Sequence, residues 1–261
     1  MNAGSLCHKL LTRKFILMKL LKIIMISLTA LIISAANFSC SKETPKVAST
    51  ENDLANASLV QIFDATVKST RNYVYVDNVP ISGAAVAFGG VFPGTAFAFK
   101  VTPGNRNFVI KDTLASTTQV PLTFSEDFSA GKSYTIFTYD TITSVKHLTV
   151  TNNIVIPTDT TARLRFADFI YNSSSVPNVD VYSFRKGTTS PLFSNVQTNQ
   201  VTDFIIYASG LTDTLYVYST GTTSPLLAKS LLPSLAPQRS YTSVYIGSFK
   251  GAKSIATFAN Y

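Results

Sequence analysis

The sequence predicts an all-β protein made of two tandem sandwich domains behind a signal peptide and a short tether. Three observations predict this. Runs rich in Val, Ile, Thr, Tyr and Phe recur every eight to twelve residues, broken by Gly, Pro, Asn and Asp. No segment keeps the helical spacing of apolar residues. The strand signatures of the first half return, in order, about one hundred residues later.

The N-terminal segment is read first. Residues 1–39 carry Lys9, Arg13, Lys14, Lys19 and Lys22 and no acid, and Ile23–Ala36 is apolar apart from Ser27, Thr29 and Ser34. A basic start, an apolar core and small residues before a break make a secretory signal. The core is 14 residues long, short of the ~20 a membrane-spanning helix needs. Met18 opens a compact signal by itself, so residues 1–17 read as an upstream extension of the true start.

Cys40 follows that signal, and the only other cysteine, Cys7, lies in the doubtful prefix. The mature chain would therefore begin at its single thiol, which has no partner for an internal disulfide. A small residue before such a cysteine resembles a bacterial lipoprotein signal, in which the cysteine is acylated and becomes the new N-terminus. Ser39 supplies the small residue, while Asn37 stands where those signals usually carry Leu. The alternative is an ordinary cleaved signal with an incidental cysteine. Acyl chains anchor stably when more than one is attached, which favours a lipid anchor at Cys40 in the outer membrane.

Removing the signal changes the charge. Of 22 basic residues five lie in it, leaving 17 against 14 acids, a net +3. No basic block of the kind that binds nucleic acid remains. Residues 40–57 are polar, contain Pro45 and no aromatic residue, and read as a flexible tether.

The β-rich remainder divides by its own repetition. Val60-Gln61-Ile62 with Asp64 matches Leu164-Arg165-Phe166 with Asp168 at an offset of 104. Val74-Tyr75 matches Val181-Tyr182 at 107, Gly104 matches Gly210 at 106, and Lys132-Ser133-Tyr134-Thr135 matches Arg239-Ser240-Tyr241-Thr242 at 107. Repeat 1 is placed at 58–150, a linker at 151–161 around Pro157, and repeat 2 at 162–261. Units of about one hundred residues have the size of an immunoglobulin-like sandwich. Gly104 and Gly210 sit where a turn needs positive φ. Tyr134 and Tyr241 suit positions where the ring is buried and the hydroxyl reaches a partner at the sandwich edge. Asp64 and Asp168 end the first strand of each unit, where a short carboxylate caps the following turn.

The stretches "LVQIFDA", "NYVYVDNV", "VTPGNRNFVI" and "AGKSYTIFTYD" resemble the bacterial family catalogued as domain of unknown function 4397 (DUF4397). The second copy, with "LRFADF", "NVDVYSF" and "RSYTSVYIG", matches more loosely: it lacks Pro-Gly at the turn and has Gln238 in place of Gly131. The resemblance implies an extracytoplasmic β-sandwich and brings no reaction or ligand with it.

Few residues offer chemistry. The mature chain has one histidine, His147, too little for a zinc site or a Ser-His-Asp arrangement, and no cofactor is implied. Glu126-Asp127 is the only adjacent acidic pair and reads as part of a solvated turn. A glycan hydrolase with a hidden carboxylate site is the enzymatic alternative.

Binding has more to draw on. Tyr73 and Tyr75 share one face of their strand, and Tyr216 and Tyr218 one face of theirs. Either the tyrosines or the intervening aliphatics must face the core. Outward tyrosines make a platform for a protein or carbohydrate partner; residue distributions favour inward or scattered ones. The absence of Trp weakens the carbohydrate case. The pairs Asp112-Thr113, Asp140-Thr141, Asp159-Thr160 and Asp213-Thr214 fit either ordinary β-turns or an envelope O-glycosylation signal. The expectation is a non-enzymatic, lipid-anchored binding or spacing module of the cell envelope.

Overall fold

The computed structural model describes residues 56–94, 96–187 and 190–261. The signal segment, Cys40 and the tether as far as residue 55 lie outside the described residues.

The first repeat forms β1 (Ser58–Asp64), β2 (Tyr73–Val76), β3 (Val79–Pro80), β4 (Val91–Phe92), β5 (Phe99–Val101), β6 (Gly104–Lys111), β7 (Leu122–Phe128), β8 (Ser133–Tyr139) and β9 (Lys146–Thr151). The second forms β10 (Ala162–Tyr171), β11 (Val179–Ser183), β12 (Phe193–Val196), β13 (Gln200–Val201), β14 (Ile205–Tyr207), β15 (Asp213–Ser219), β16 (Ala228–Leu232), β17 (Ser240–Ser248) and β18 (Lys253–Ala259), with a 3-10 turn at Phe184–Lys186. In the first repeat one sheet runs β4-β1-β8-β9 with β5 also beside β1, and the other runs β3-β2-β6-β7. In the second they run β13-β10-β17-β18 with β14 beside β10, and β12-β11-β15-β16. Each strand of the first repeat thus has its counterpart nine strands later. The one parallel pairing in each is also shared: β1 with β8, and β10 with β17.

Alternation builds a core inside each sandwich. Val60 and Ile62 of β1 and Ile136 of β8 meet Val74, Phe108, Ile110 and Phe128 of the facing sheet. Leu164, Phe166 and Tyr245 meet Val181, Leu215 and Val217 in the second repeat. The residues between them point the other way and are also buried. Phe63, Ala65 and Phe137 pack against Ala167, Phe169, Val244, Ile246 and Phe258 in a third core, between the two sandwiches. Phe137 stacks on Phe169 with ring centres 4.7 Å apart, and Phe63 stacks on Phe258 at 5.1 Å. The β1-β8 sheet is therefore covered on both faces, and so is the β10-β17 sheet.

A polar network continues this third core. Arg165 Nη2 donates to Asn152 Oδ1 at 2.7 Å, and Asn260 Nδ2 donates to Gln61 Oε1 at 3.0 Å. Gln61 and Arg165 are equivalent positions, as are Asn152 and Asn260, each the residue after its repeat's last strand. Residue i of one repeat meets residue j of the other, and j meets i, which is the pattern of an isologous two-fold contact made within one chain. Within each repeat the threonine at the same place bonds its own asparagine: Thr135 with Asn152, and Thr242 with Asn260. Arg165 also donates from Nε to Thr242 Oγ1 at 2.8 Å and lies 4.6 Å from the Phe204 ring centre. Burial pulls its guanidinium down to about 9, because all of these hydrogen-bonding partners are uncharged.

The repeated anchors take the positions their sequence suggests. The Tyr134 hydroxyl accepts from Ser129 N at 3.0 Å, and the Tyr241 hydroxyl accepts from Ala236 N at 3.0 Å, each five residues upstream. Gly104 and Gly210 have φ of +96° and +74°. The departure at Gln238 has a structural cost. It keeps φ at +59° where Gly131 has +72°, and a side chain in the left-handed region costs roughly 1–2 kcal/mol. Gln238→Gly is therefore expected to raise stability by roughly 1 kcal/mol in urea unfolding, after the extra freedom glycine gives the unfolded chain.

Candidate functional site

The tyrosine pairs face outward. On β2 it is Val74 that enters the core, at 0% exposure, and on β15 it is Leu215 and Val217. Of the two arrangements that residue distributions favour, inward tyrosines and scattered tyrosines on a solvated face, the inward one does not occur at these four positions. Aliphatic β-branched and leucine side chains fill the gap between packed sheets, about 10 Å in general, without a polar tip to satisfy. Tyr73, Tyr75, Tyr216 and Tyr218 lie half-buried on the outer faces.

The two outer faces differ in kind. In the first repeat cations cover the rings: Lys111 Nζ stands 4.8 Å from the Tyr75 ring centre, and the Arg71 guanidinium 5.9 Å from that of Tyr73. In the second repeat the position equivalent to Lys111 is Tyr218, because Val74 pairs with Ile110 and Val181 with Val217. Tyr218 meets Tyr182 edge-on at 5.8 Å, and Tyr216 lies opposite both Tyr182 and Lys229 in the ladder. Leu231, next outward on β16, is 68% exposed, and Phe184 just beyond β11 is 71% exposed. Phe184, Leu231 and Thr214 also rim a depression of about 230 Å3. This face is aromatic and apolar where that of the first repeat is capped by charge. Of its members, sequence reasoning picked out Tyr216 and Tyr218 as binding residues. It missed Tyr182, Phe184 and Leu231, although the β-period through Asp180-Tyr182-Phe184 was there to read.

The acidic pair is not a turn. Glu126 and Asp127 lie within β7, where successive residues point to opposite faces. Leu122, Phe124 and Phe128 fix the inward face, so Glu126 turns toward the sandwich edge and Asp127 toward solvent. Two carboxylates on opposite faces of one strand do not converge on a single bond. Glu126 instead meets His147 of β9, Oε1 to Nε2, at 3.2 Å, and His147 stacks on Phe124 at 3.8 Å. The pair closes the open edge between the two sheets of the first repeat.

The Asp-Thr pairs divide. Asp112 and Asp159 each accept a backbone N–H two residues on, the bond of an ordinary Asx turn, and leave Thr113 and Thr160 exposed. Asp140 takes the N–H of Thr141 and pairs with Lys146 at 2.8 Å. Asp213 is buried, with Ser183, Tyr207, Arg185 N and Thr214 N as donors.

Asp64 and Asp168 both accept from the N–H two residues ahead, at 2.9 Å. Beyond that they part. Asp64 also takes hydrogen bonds from Thr138, Ser69 and Asn72. Asp168 is fully buried, and its Oδ2 has no hydrogen-bond partner. Burial pushes its carboxyl up to about 7, since a carboxylate loses its hydration there without compensation. The neighbouring Tyr245 hydroxyl, opposite it in the ladder, is likewise unpartnered and is raised by burial and by the Asp168 carboxylate.

Among the described residues no group of three His, Cys, Asp or Glu stands together. A family model described as a domain of unknown function, DUF4397, matches residues 58–182, from the start of β1 into β11. No curated protein matches the chain. Among solved structures the chain is similar to a protein of Bacteroides uniformis ATCC 8492 for which a role in cell adhesion has been suggested. The identity is 10%, the match covers 79% of this chain and 98% of that one, and the TM-score is 0.23.

Proposed function

We propose, for a chain whose residues 58–182 match the DUF4397 family model, a non-enzymatic binding module of the cell envelope, held in the outer membrane by acyl chains on Cys40. Its contact surface is the outer face of the second repeat, and the partner is a protein. The observation that carries this reading is the run of Phe184, Tyr216, Tyr218 and Leu231 on one side of the β12-β11-β15-β16 sheet, laid around the buried Tyr182. Aromatic side chains are enriched in the centres of protein interfaces, and Lys229 at the margin supplies a polar rim. A solvated sheet face gains nothing from Phe184 and Leu231 in water. The tether sets the module off from the membrane, and the first repeat acts as a spacer that holds the second outward.

Two measurements test this. Labelled palmitate is expected to enter the wild-type protein and not Cys40→Ser; equal labelling of both contradicts the anchor. A photo-crosslinker in place of Leu231 is expected to yield one discrete protein adduct in intact cells, lost on Tyr216→Ala. A crosslinker at Thr123, on the outer face of the first repeat, is expected to yield none. Equal adducts at both positions, or none at Leu231, contradict the assignment of the face.

A further inference from the structure

The internal two-fold places each feature of the molecule twice, and at one location the two copies differ. Beside the end of β10, a cleft of about 200 Å3 opens between the repeats. Tyr139, Asp140 and Lys146 line it from the first repeat, and Tyr171, Asn172 and Asn199 from the second. The equivalent place beside the end of β1 is shut. There the Gly89 N–H donates to Asp64 O, just as the Asn199 N–H donates to Asp168 O. The residue before each of these is Phe88 in the first repeat and Thr198 in the second. Phe88 packs into the core between the sandwiches, and a Cβ on Gly89 would stand 3.4 Å from Ile246 Cδ1. Tyr139, Asp140 and Tyr171 are matched on that side by Ile246, Gly247 and Val67. One copy is therefore filled with apolar side chains, while the other is open and lined by rings, amides and hydroxyls.

Asp168 precedes the lining residues of the open copy in the chain, and its Oδ2 has no hydrogen-bond partner. Phe169 and Ile170, the next two residues, form part of the cleft lining, and so does Asn199, bonded to its carbonyl. Asp64, the equivalent residue of the first repeat, has a carboxylate that accepts four hydrogen bonds. The two places thus differ in filling, and the two aspartates in polar satisfaction.

We propose that this cleft is a binding site for one neutral sugar ring, the terminal unit of a glycan. The size is that of a single ring rather than of the ~300–1,000 Å3 taken by drug-sized ligands. Tyr139 and Tyr171, both half-buried, offer flat apolar surface to the C–H face of a pyranose, and Tyr139 is backed by the buried Phe169 at 5.3 Å. Asn172, Ser174, Ser175, Thr198 and Asn199 offer donors and acceptors together, which suits hydroxyl groups that are both. The Lys146–Asp140 pair cancels its own charge at 2.8 Å, so the lining favours neither an anion nor a cation. The inference deepens the binding-module reading with a second site, away from the outer face of the second repeat, and the two fail separately.

The test uses the full chain in detergent, with the methyl glycosides of glucose, galactose, mannose and N-acetylglucosamine as probes and glucuronate as the charged control. Saturation-transfer NMR and calorimetric titration read binding, and thermal melting reads folding. At least one neutral glycoside is expected to bind. Thr198→Phe, which installs the residue of the closed copy, is expected to weaken it by about tenfold or more, as is Asn172→Ala. Leu231→Lys on the outer face leaves sugar binding unchanged. Should Thr198→Phe fail to fold, Asn172→Ala decides. No neutral glycoside bound, preference for glucuronate, or binding indifferent to both cleft substitutions overturns the proposal. Loss of the Leu231 adduct with sugar binding intact overturns only the outer-face reading.

Discussion

Phe137→Ala is expected to lower the unfolding free energy by about 3–5 kcal/mol, the range for truncating a fully buried phenylalanine. The ring has 0% exposure, and it packs on Phe169 at 4.7 Å, Phe63 at 6.1 Å and Phe258 at 6.4 Å. Two of those three partners belong to the other repeat. The loss should therefore appear in both repeats, unlike Phe108→Ala, whose ring contacts Phe124 and Phe128 inside the first sandwich. Hydrogen exchange separates the two variants: Phe137→Ala is expected to raise exchange in β10 and β17 as well as in β1 and β8. A cost below about 1 kcal/mol, the scale of an ordinary surface change, would mean that the third core is not packed as described.

The second large effect follows from Asp168 and depends on pH. Burial holds its folded pKa at about 7 against 3.8 for the ordinary carboxyl. Below pH 3.8 both folded and unfolded chains carry the proton, and no difference arises. Between 3.8 and 7 the folded chain keeps a proton that the unfolded chain releases, so stability falls as pH rises. Above 7 the full cost is present, about 4 kcal/mol at 1.36 kcal/mol per unit. Asp168→Asn removes this slope. Urea unfolding of the two proteins from pH 4 to pH 8 reads it directly, because carboxylates with lowered values, such as Asp77 and Asp213, titrate alike in both. The substituted protein is expected to gain on the wild type steadily across that window. Parallel profiles would show that Asp168 is ionised in the folded state from acid pH upward.

The β-class and the repeat could be read because both rest on local pattern. Period-two alternation marks β6 and β15, and the four anchors keep nearly constant spacing whatever the loops do. β7 escaped because Ser125, Glu126 and Asp127 carry turn chemistry, although Leu122, Phe124 and Phe128 hold the two-residue period through them. The contact between the repeats was visible only in part. "LVQIF" and "LRFADF" put large or apolar residues on both faces of a strand, the sign of a sheet covered twice, but nothing local says by what. Arg165 illustrates the limit: a basic residue between Leu164 and Phe166 reads as an exposed position, and its partners, Thr135 and Asn152 of the other repeat and Thr242 of its own, are distant in sequence. The cleft lay further out of reach. It depends on Phe88 against Thr198, two residues in dissimilar loops that only the shared strand order brings into correspondence. Of the outer faces, periodicity placed each tyrosine pair on one side of its strand, and the fold then decided which side.

The account turns on the two sandwiches forming one body, with equivalent faces pressed together and each other's polar groups satisfied. Scanning calorimetry of the full chain tests that most directly. A single transition is predicted, with calorimetric and van't Hoff enthalpies equal. Two separable transitions, or a van't Hoff enthalpy near half the calorimetric one, would mean that the repeats unfold independently and would contradict it.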